Sequence, residues 1–220
     1  VLGAATVTDD VEGEVISTAN TSATTDSQIH EELSKMRGTI MQRPSSVSAV
    51  KIDGERAYDR VRSGEEVVLP SREVTISQLD VLAIRRVEKG IEIDIEVTCS
   101  SGTFIRAIAR DCGDALGVGG HLNSLRRSRV AGFGLDRAVS LAQLKGGDFS
   151  TLDLADVARA TFAVREIAMD EKLELSFGRT LAANPDDQIY AGISATNDLI
   201  ALLHNVDGKA KPIAVFAAAQ

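Results

Sequence analysis

The segment from Ile91 to Cys99 alternates apolar and polar residues without a break, and this pattern constrains the fold more than any other feature of the chain. Side chains on successive residues of a strand point to opposite faces of a sheet. The segment therefore predicts a strand with one apolar and one polar face. The apolar face consists of Ile91, Ile93, Ile95, Val97 and Cys99, and the polar face of Glu92, Asp94, Glu96 and Thr98.

An apolar stretch over 74–84 precedes this strand, and a slip in its alternation indicates a β-bulge. Residues 88–90 (Glu-Lys-Gly) turn the chain, so the two stretches are predicted to form an antiparallel pair. The carboxylates of Glu92, Asp94 and Glu96 could be interpreted as a metal site. A solvated strand face explains them more simply, and we expect no metal here.

Two helices are predicted from apolar residues at helical spacing. In the first, over 27–37, Asp26 would be the N-cap, Ile29, Leu33 and Met36 the apolar stripe, and Gly38 the stop. In the second, Thr103 would be the N-cap, Ile105, Ile108, Cys112 and Leu116 the stripe, and Gly117 the stop. Further predicted elements are strands over 47–52, 122–133, 189–193, 199–204 and 212–216, a short basic helix over 55–63 and a helical turn over 140–144.

These elements predict an α+β protein of two domains. Gly146-Gly147-Asp148 interrupts the pattern, so the boundary is expected between 146 and 162, separating a domain over 1–150 from a smaller α+β domain over 160–220. No apolar run is long enough to span a membrane, and two cysteines fit a reducing compartment. We therefore expect a cytoplasmic protein. We also interpret the opening Val1-Leu2 as a start within a domain.

The charge of the chain is unevenly distributed. The formal net charge is −8, yet residues 104–129 contain five arginines and two aspartates, a local charge of +3. This asymmetry is compatible with an acidic body that bears one basic face for a polyanion. Within it, Arg126-Arg127-x-Arg129 either contacts an RNA backbone or is an ordinary charged strand edge, and the run alone favours the strand edge.

Several other chemistries find little support in the residues. The glycines over 117–120 follow a helix, whereas a nucleotide-binding loop should open one. Cys99, Cys112 and His121 lack the paired Cys-x-x-Cys of common zinc sites, and buried free cysteine is the simpler interpretation. No G-x-S-x-G elbow is present, so serine hydrolase chemistry is not indicated.

Arg106 is the candidate that needs an explanation. It falls in the first turn of the predicted second helix, where the helix dipole disfavours a cation. Pairing with a carboxylate or a phosphate would make this position favourable. The alternative is a surface arginine that bends into water.

Motifs over 1–13, 37–58, 102–106 and 125–127 occur in the same order as in the TruB family, which they resemble. Members of that family isomerise a uridine of tRNA to pseudouridine, the one at position 55 in the T loop. Residues 1–13 resemble the L-G-x-x-T-x-T-x-D-x-x-G stretch of the family. Residues 37–58 continue the resemblance with Arg-Gly, Gln-x-Pro-Ser-x-x-Ser-Ala-x-Lys, Gly and Arg-x-Tyr. Residues 102–106 resemble the active-site signature G-T-[YF]-I-R, and 125–127 the L-R-R that follows it.

The resemblance covers 1–145 well, and it implies the pseudouridine synthase fold, with a mixed, mainly antiparallel sheet and flanking helices. Residues 160–220 match more weakly and resemble the reduced, PUA-like C-terminal domain of actinobacterial members. The family needs no cofactor or metal, its partner is the T arm of tRNA, and nothing in the sequence suggests more than a monomer.

The resemblance also implies roles for individual residues. Arg106 would orient the catalytic aspartate and keep it ionised. Phe104, Leu125 and Lys51 would bind the substrate uridine, with Phe104 and Leu125 lining the uracil pocket. Arg56, Arg60, Arg126 and Arg127 would contact the RNA, and 44–72 would form the thumb that presses on the T arm.

The resemblance leaves a gap. The nucleophile motif G-x-L-D and the K-x-Y tyrosine of the family should lie upstream of Val1, so we expect this chain to be inactive alone. Val47 stands where members often carry tyrosine, and Phe104 replaces the commoner tyrosine, so no hydroxyl role is expected at either position.

Two alternatives belong to other functional classes. One is a non-catalytic RNA-binding module of the same fold. The other is an α/β enzyme acting on small molecules, for which changes at Arg126 or Lys51 would leave tRNA affinity untouched.

Overall fold

The computed structural model describes residues 1–45, 51–52, 55–56, 69–185 and 188–216, with the backbone alone for 51–52 and 55–56. These residues form two compact units, Val1–Leu125 and Arg126–Gln220. The division falls before the range 146–162 in which the sequence predicts it. The reason is visible at Gly132, where an added Cβ would lie 2.5 Å from the carbonyl oxygen of Ala160. The segment that follows Leu125 therefore packs within the second unit.

The first unit is built on a three-stranded antiparallel sheet with two helices. Its central strand pairs with the first on one side and the third on the other. The sheet strands are β3 (Gly38–Gln42), β6 (Arg72–Val87) and β7 (Gly90–Cys99), and the helices are α1 (Asp26–Lys35) and α2 (Ile105–Ala115). Two short pairs complete the unit, β1 (Ala4–Thr6) with β2 (Val15–Thr18) and β4 (Lys51–Ile52) with β5 (Glu55–Arg56).

The predicted antiparallel pair is confirmed as β6 and β7. The register slips twice along β6, between Ile76 and Gln78 and between Val81 and Ala83, which are the irregularities that the broken alternation indicated. The apolar face of β7 packs into the core as predicted, with Ile91 fully buried. On the polar face, the exposed guanidinium of Arg85 pairs with Asp94 at 2.7 Å and with Glu92 at 3.4 Å.

Both helices of the first unit are confirmed, but their N-caps differ from the prediction. The N-cap of α1 is Thr25, which forms a capping box with Gln28. The Thr25 hydroxyl accepts from the Gln28 backbone N–H, and the Thr25 backbone N–H donates to the Gln28 side-chain oxygen. Asp26 instead starts the helix and pairs with Arg86 of β6. The N-cap of α2 is Phe104, which has no capping side chain, while the Thr103 hydroxyl donates to the Ser100 carbonyl oxygen at 3.0 Å.

Two other predictions for residues 47–133 are contradicted, and a third is only partly described. Glu55 and Arg56 lie in β5 and not in the predicted helix over 55–63. The predicted strand over 122–133 is wrong, since only β8 (Arg129–Val130) and β9 (Phe133–Gly134) are strands there. The predicted strand over 47–52 is described only as β4, because 46–50 and 57–68 lie outside the described residues.

The second unit contains a five-stranded sheet in the order β10-β12-β13-β14-β11, with β10 and β12 parallel and the other pairs antiparallel. The predicted strands near 189–193, 199–204 and 212–216 are confirmed. The helices are α3 (Leu141–Gly146), α4 (Leu154–Thr161) and α5 (Met169–Ser176), after a 3-10 turn at Leu135–Arg137. The strands are β10 (Ala163–Ile167), β11 (Leu181–Ala182), β12 (Tyr190–Ser194), β13 (Leu199–Val206) and β14 (Lys209–Val215).

The mixture of antiparallel sheets and helices confirms the α+β class. No helix among the described residues has the length and apolar character needed to cross a membrane.

Two leucines on one strand, one buried and one exposed, allow the contribution of the core of the first unit to stability to be tested. Leu79 and Leu82 both lie on β6, but Leu79 is 0% exposed whereas Leu82 is 65% exposed. We expect Leu79→Ala to lower the free energy of unfolding by about 2–5 kcal/mol, because it removes buried methyl groups and leaves a cavity. Leu82→Ala should change it by less than about 0.5 kcal/mol. Urea unfolding followed by far-UV circular dichroism measures both, and equal effects would contradict this account of the core.

Candidate functional site

The N-terminus of α2 carries the ion pair that distinguishes this region. The Arg106 guanidinium lies in the first turn of α2, and its Nη2 is 2.7 Å from the Asp10 Oδ2. The Asp10 side chain is 9% exposed and that of Arg106 is 42% exposed. Among the alternatives for Arg106, pairing with a carboxylate is therefore observed. A nearby carboxylate offsets the repulsion between a cation and the positive end of the helix dipole.

Asp10 is held firmly by its own loop. Its Oδ1 accepts from the Thr8 hydroxyl at 2.5 Å and from the Glu12 backbone N–H at 3.1 Å. Its backbone carbonyl accepts from the Thr6 hydroxyl at 2.7 Å. Because a buried carboxylate must satisfy its oxygens to remain charged, this network fixes the direction of Asp10 toward α2.

Phe104 is fixed by a side chain from β3. The fully buried amide of Gln42 accepts from the Phe104 backbone N–H at 2.7 Å and donates to the Phe104 carbonyl oxygen at 2.9 Å. The Arg72 guanidinium lies 4.2 Å from the centroid of the Phe104 ring and also donates to the Gly102 carbonyl oxygen. The ring at the start of α2 is thus held through its backbone and stacked by a cation.

A second ion pair lies one turn along α2. The Arg110 Nη1 is 2.9 Å from the Asp9 Oδ2, its Nη2 donates to the Arg43 carbonyl oxygen at 2.8 Å, and its Nε donates to the Asp111 Oδ1 at 2.8 Å. Burial by itself would lower the pKa of Arg110, but the hydrogen bond to Asp111 and the charge of Asp9 raise it on balance. The group stays charged.

The structure describes the side chains of five of the predicted site residues. Arg106 and Phe104 lie side by side at the start of α2. Leu125 is 58% exposed at the end of the first unit. Arg126 and Arg127 are exposed and belong to the second unit, outside any strand, so the placement of this run on a strand is wrong except at Arg129.

The three remaining predicted residues lie largely outside the described part of the chain. Lys51 and Arg56 face each other in the backbone register of β4 and β5, and their side chains are not described. Arg60 lies within 57–68, which is not described. Most of the predicted thumb over 44–72 also lies outside the described residues, since 46–50, 53–54 and 57–68 are not described.

Sequence reasoning missed Asp10, Gln42 and Arg72 as members of this site. The unfavourable position of Arg106 did indicate a carboxylate partner. Nothing in spacing alone identified Asp10, which is 96 residues away in the sequence. Gln42 and Arg72 act through backbone groups and a ring, and such contacts have no sequence pattern.

Other chemistries are not supported by the environment of their residues. Burial, reinforced by the charge of Glu32, raises the pKa of Cys112 to about 11, so its thiol is protonated near neutral pH and is not a nucleophile. Within the described ranges, no three His, Cys, Asp or Glu side chains are grouped so that they could hold a metal ion.

Three family models match the chain in succession. The TruB family pseudouridylate synthase N-terminal domain matches residues 1–105. The tRNA pseudouridylate synthase B C-terminal domain matches 106–172, and the tRNA pseudouridine synthase II C-terminal domain matches 162–217.

Relatives with high identity cover nearly the whole chain. A tRNA pseudouridine synthase B of Arthrobacter sp. (strain FB24) is 48% identical over 98% of this chain and 74% of its own length. The enzymes of that name from Mycobacteroides abscessus and Corynebacterium diphtheriae are 47% and 46% identical, covering 97% and 92% of this chain and 72% and 68% of their own lengths.

Solved structures share the fold at low identity. A chain of a Cbf5-Nop10-Gar1 complex has a TM-score of 0.65 and 19% identity, with 89% of this chain covered. A chain of an H/ACA RNP bound to a substrate RNA has a TM-score of 0.63 and 17% identity, also with 89% covered. This chain spans slightly less than two thirds of each, 63% and 62%.

The Gln42 contact generates a prediction for stability. Gln42→Leu should lower the free energy of unfolding by about 2 kcal/mol or more, because it leaves the half-buried Phe104 N–H without a partner and removes the Gln42 bond to the Phe104 carbonyl oxygen. Gln78→Leu is the control, since Gln78 is exposed on β6 and its amide bonds only to Asp80 at 2.6 Å. Urea midpoints of both variants make the comparison. The same midpoint for both would mean that the Gln42 amide is dispensable.

Proposed function

Because the chain belongs to the TruB family of pseudouridine synthases, we propose that the protein isomerises a uridine of tRNA to pseudouridine. The single observation that carries the proposal is the Arg106 guanidinium at the start of α2. It is held by the nearly buried Asp10 and is still 42% exposed. A cation fixed on one side and open on the other is suited to binding a second anionic group.

Arg106 would bind the catalytic aspartate. A guanidinium has five N–H donors, and Asp10 is its one partner among the described residues. The remaining donors are available for a second carboxylate, which Arg106 would orient and keep ionised. We propose that this carboxylate comes from a part of the protein outside the present sequence. Two facts support this: the sequence contains no G-x-L-D motif, and it spans 74% of the Arthrobacter relative.

The reaction proceeds on a base that has left the stack, because a stacked base cannot be reached. The aspartate promotes cleavage of the bond between C1′ of the ribose and N1 of uracil. The detached uracil turns, a bond forms between C1′ and C5, the C5 hydrogen leaves as a proton, and N1 takes up a proton. The chemistry is an isomerisation, so neither an oxidant nor a cofactor is required.

The residues around Arg106 would form the uracil pocket. Phe104 supplies an apolar ring whose position is fixed by Gln42 and Arg72. Leu125, which is largely exposed, would cover the base from another side, and Lys51 would contact the substrate. Arg56, Arg60, Arg126 and Arg127 would contact RNA phosphates, where arginine binds well.

We assign the T arm of tRNA as the partner and the uridine at position 55 as the target. In this assignment the catalytic domain runs over 1–150 without its N-terminal part, and so extends in sequence beyond the first compact unit, which ends at Leu125. Residues 44–72 form the thumb and 160–220 the PUA-like domain. We further propose that the protein acts as a monomer in the cytoplasm, where its substrate is found.

A non-catalytic RNA-binding module of the same fold is the second candidate. It would retain the phosphate-binding arginines but would have no need for a nearly buried Asp10 to hold Arg106 at the start of α2. The ion pair therefore favours the enzyme over the module.

Catalysis is tested by release of tritium from tRNA that carries [5-³H]uridine, because each turnover frees the hydrogen on C5. We expect the full-length protein that contains this sequence to release it from an unmodified tRNA transcript, and not from one whose T-loop target is cytidine. The 220-residue chain alone should release none. Arg106→Ala in the full-length protein should lower the rate at least about 100-fold.

Binding of the tRNA without tritium release by the full-length protein would favour the non-catalytic module. Release that persists with the cytidine transcript would place the target elsewhere in the tRNA. Arg85→Ala is the control variant, because Arg85 forms an exposed ion pair with Asp94 away from α2. It should leave the rate unchanged.

RNA contact by the second unit predicts a change in salt dependence. Arg126→Ala and Arg127→Ala should each weaken tRNA binding and reduce the slope of log K against log salt by about 1, because each loses one phosphate contact. Filter binding of tRNA at several salt concentrations measures the slope. An unchanged slope would favour a charged surface without a role in RNA binding.

A further inference from the structure

We propose that Arg110 is a positioning residue, which holds Asp10 against Arg106 through the neighbouring Asp9. The proposal rests on the proposed function, since it concerns the same site. It extends that function to a second arginine that the family motifs did not single out.

Arg106 and Arg110 each form an ion pair between α2 and the loop that contains Asp9 and Asp10. Residues four apart on a helix lie on the same face, so Arg106 and Arg110 are stacked one turn apart. Arg106 binds Asp10 at 2.7 Å, and Arg110 binds Asp9 at 2.9 Å. The two ion pairs therefore join adjacent residues of the loop to adjacent turns of the helix.

The backbone at Asp9 makes this double contact possible. Successive side chains of an extended chain point to opposite sides, yet both aspartates contact the same helix. Asp9 has a φ of +59°, in the left-handed region, where aspartate is one of the few non-glycine residues that is tolerated. The backbone direction changes at Asp9, and the ion pair to Arg110 compensates for a conformation that is otherwise unfavourable.

The Arg110 pair is more enclosed than the Arg106 pair. The side chains of Arg110 and Asp9 are 12% and 13% exposed, whereas Arg106 is 42% exposed. The more buried pair is shielded from water and suited to holding geometry, while the more open one can meet a second ligand.

Arg110 also connects the loop to β3. Its Nη2 donates to the carbonyl oxygen of Arg43. Arg43 directly follows Gln42, the residue that fixes the Phe104 backbone. Close by, the Ser45 hydroxyl donates to the Thr8 carbonyl oxygen at 3.3 Å. One guanidinium thus ties together the segments that carry Asp10, Arg106 and Phe104.

The test is a double-mutant cycle on the full-length protein, using Arg110→Ala, Asp10→Asn and the double variant. Single-turnover tritium release is measured with the protein at a saturating concentration, in excess over the tRNA, and followed for many hours. We expect Arg110→Ala to slow release about 10-fold or more and to change the Kd for tRNA less than about 2-fold. In the Asp10→Asn background it should have almost no further effect, because its action passes through Asp10.

A purely structural ion pair would give a different result. Arg110→Ala would then lower the melting temperature, and its effect on the rate would be either absent or the same in both backgrounds. Either outcome overturns the proposal. Arg85→Ala removes a comparable but exposed pair from the same unit and should not change the rate.

Asp9→Asn keeps the test decisive if Arg110→Ala fails to fold. Asparagine preserves the volume and tolerates the left-handed conformation, while it removes the charge that Arg110 binds. We expect slower tritium release with tRNA affinity retained. An unaltered rate of release would contradict the proposal. If the unsubstituted full-length protein forms no pseudouridine at all, the proposed function fails instead, and the two failures are thereby separated.

Discussion

The pairing of Asp10 with Arg106 is the interaction around which the first unit is arranged. A carboxylate that is 9% exposed is costly unless its charge is matched and its oxygens are bonded. A cation in the first turn of a helix is also unfavourable by itself. The charge of Arg106 offsets the cost of burying the Asp10 carboxylate, and the charge of Asp10 offsets the repulsion between Arg106 and the helix dipole. Both effects require the loop and the helix to be held at the distance of an ion pair.

The fold achieves that separation by close packing of backbone. Gly113 in α2 and Gly120 in the following loop lie so near each other that an added Cβ on Gly113 would be 2.2 Å from the backbone nitrogen of Gly120. The backbone of Leu2 bridges to Gly120 on one side and to Ile91 of β7 on the other. Asp10 in turn bridges to Leu122. The site loop is therefore attached to both α2 and the central sheet, and the glycines over 117–120 owe their place to packing and turning rather than to a bound phosphate.

The charged residues of the site have two different roles, which are to hold the loop in place and to bind a second anion. Asp9 and Arg110 are enclosed and carry bonds to three segments, so they suit a structural role that is transmitted to the site. Arg106 is open enough to meet another anion, as the proposed isomerase chemistry requires. Phe104 lies beside it with its backbone bonded at both ends to Gln42, which leaves its ring as the part that can meet a base.

The sequence alone determined the elements whose signals are local. The unbroken alternation over 91–99 and the helical spacing over 105–116 each predicted an element correctly, because burial of one face imposes its own period. The ordered motifs placed the chain in its family, and the dipole argument at Arg106 indicated a carboxylate partner. The Thr25 cap is also local, since it rests on the capping box with Gln28. The start of the second helix at Phe104 depends on tertiary contacts instead, because its backbone is bonded by Gln42. So do the partners of Arg106, Phe104 and Arg110, because Asp10, Gln42 and Asp9 come from distant positions in the sequence. Only the folded chain brings these groups within hydrogen-bond distance, and spacing along the sequence carries no record of such contacts.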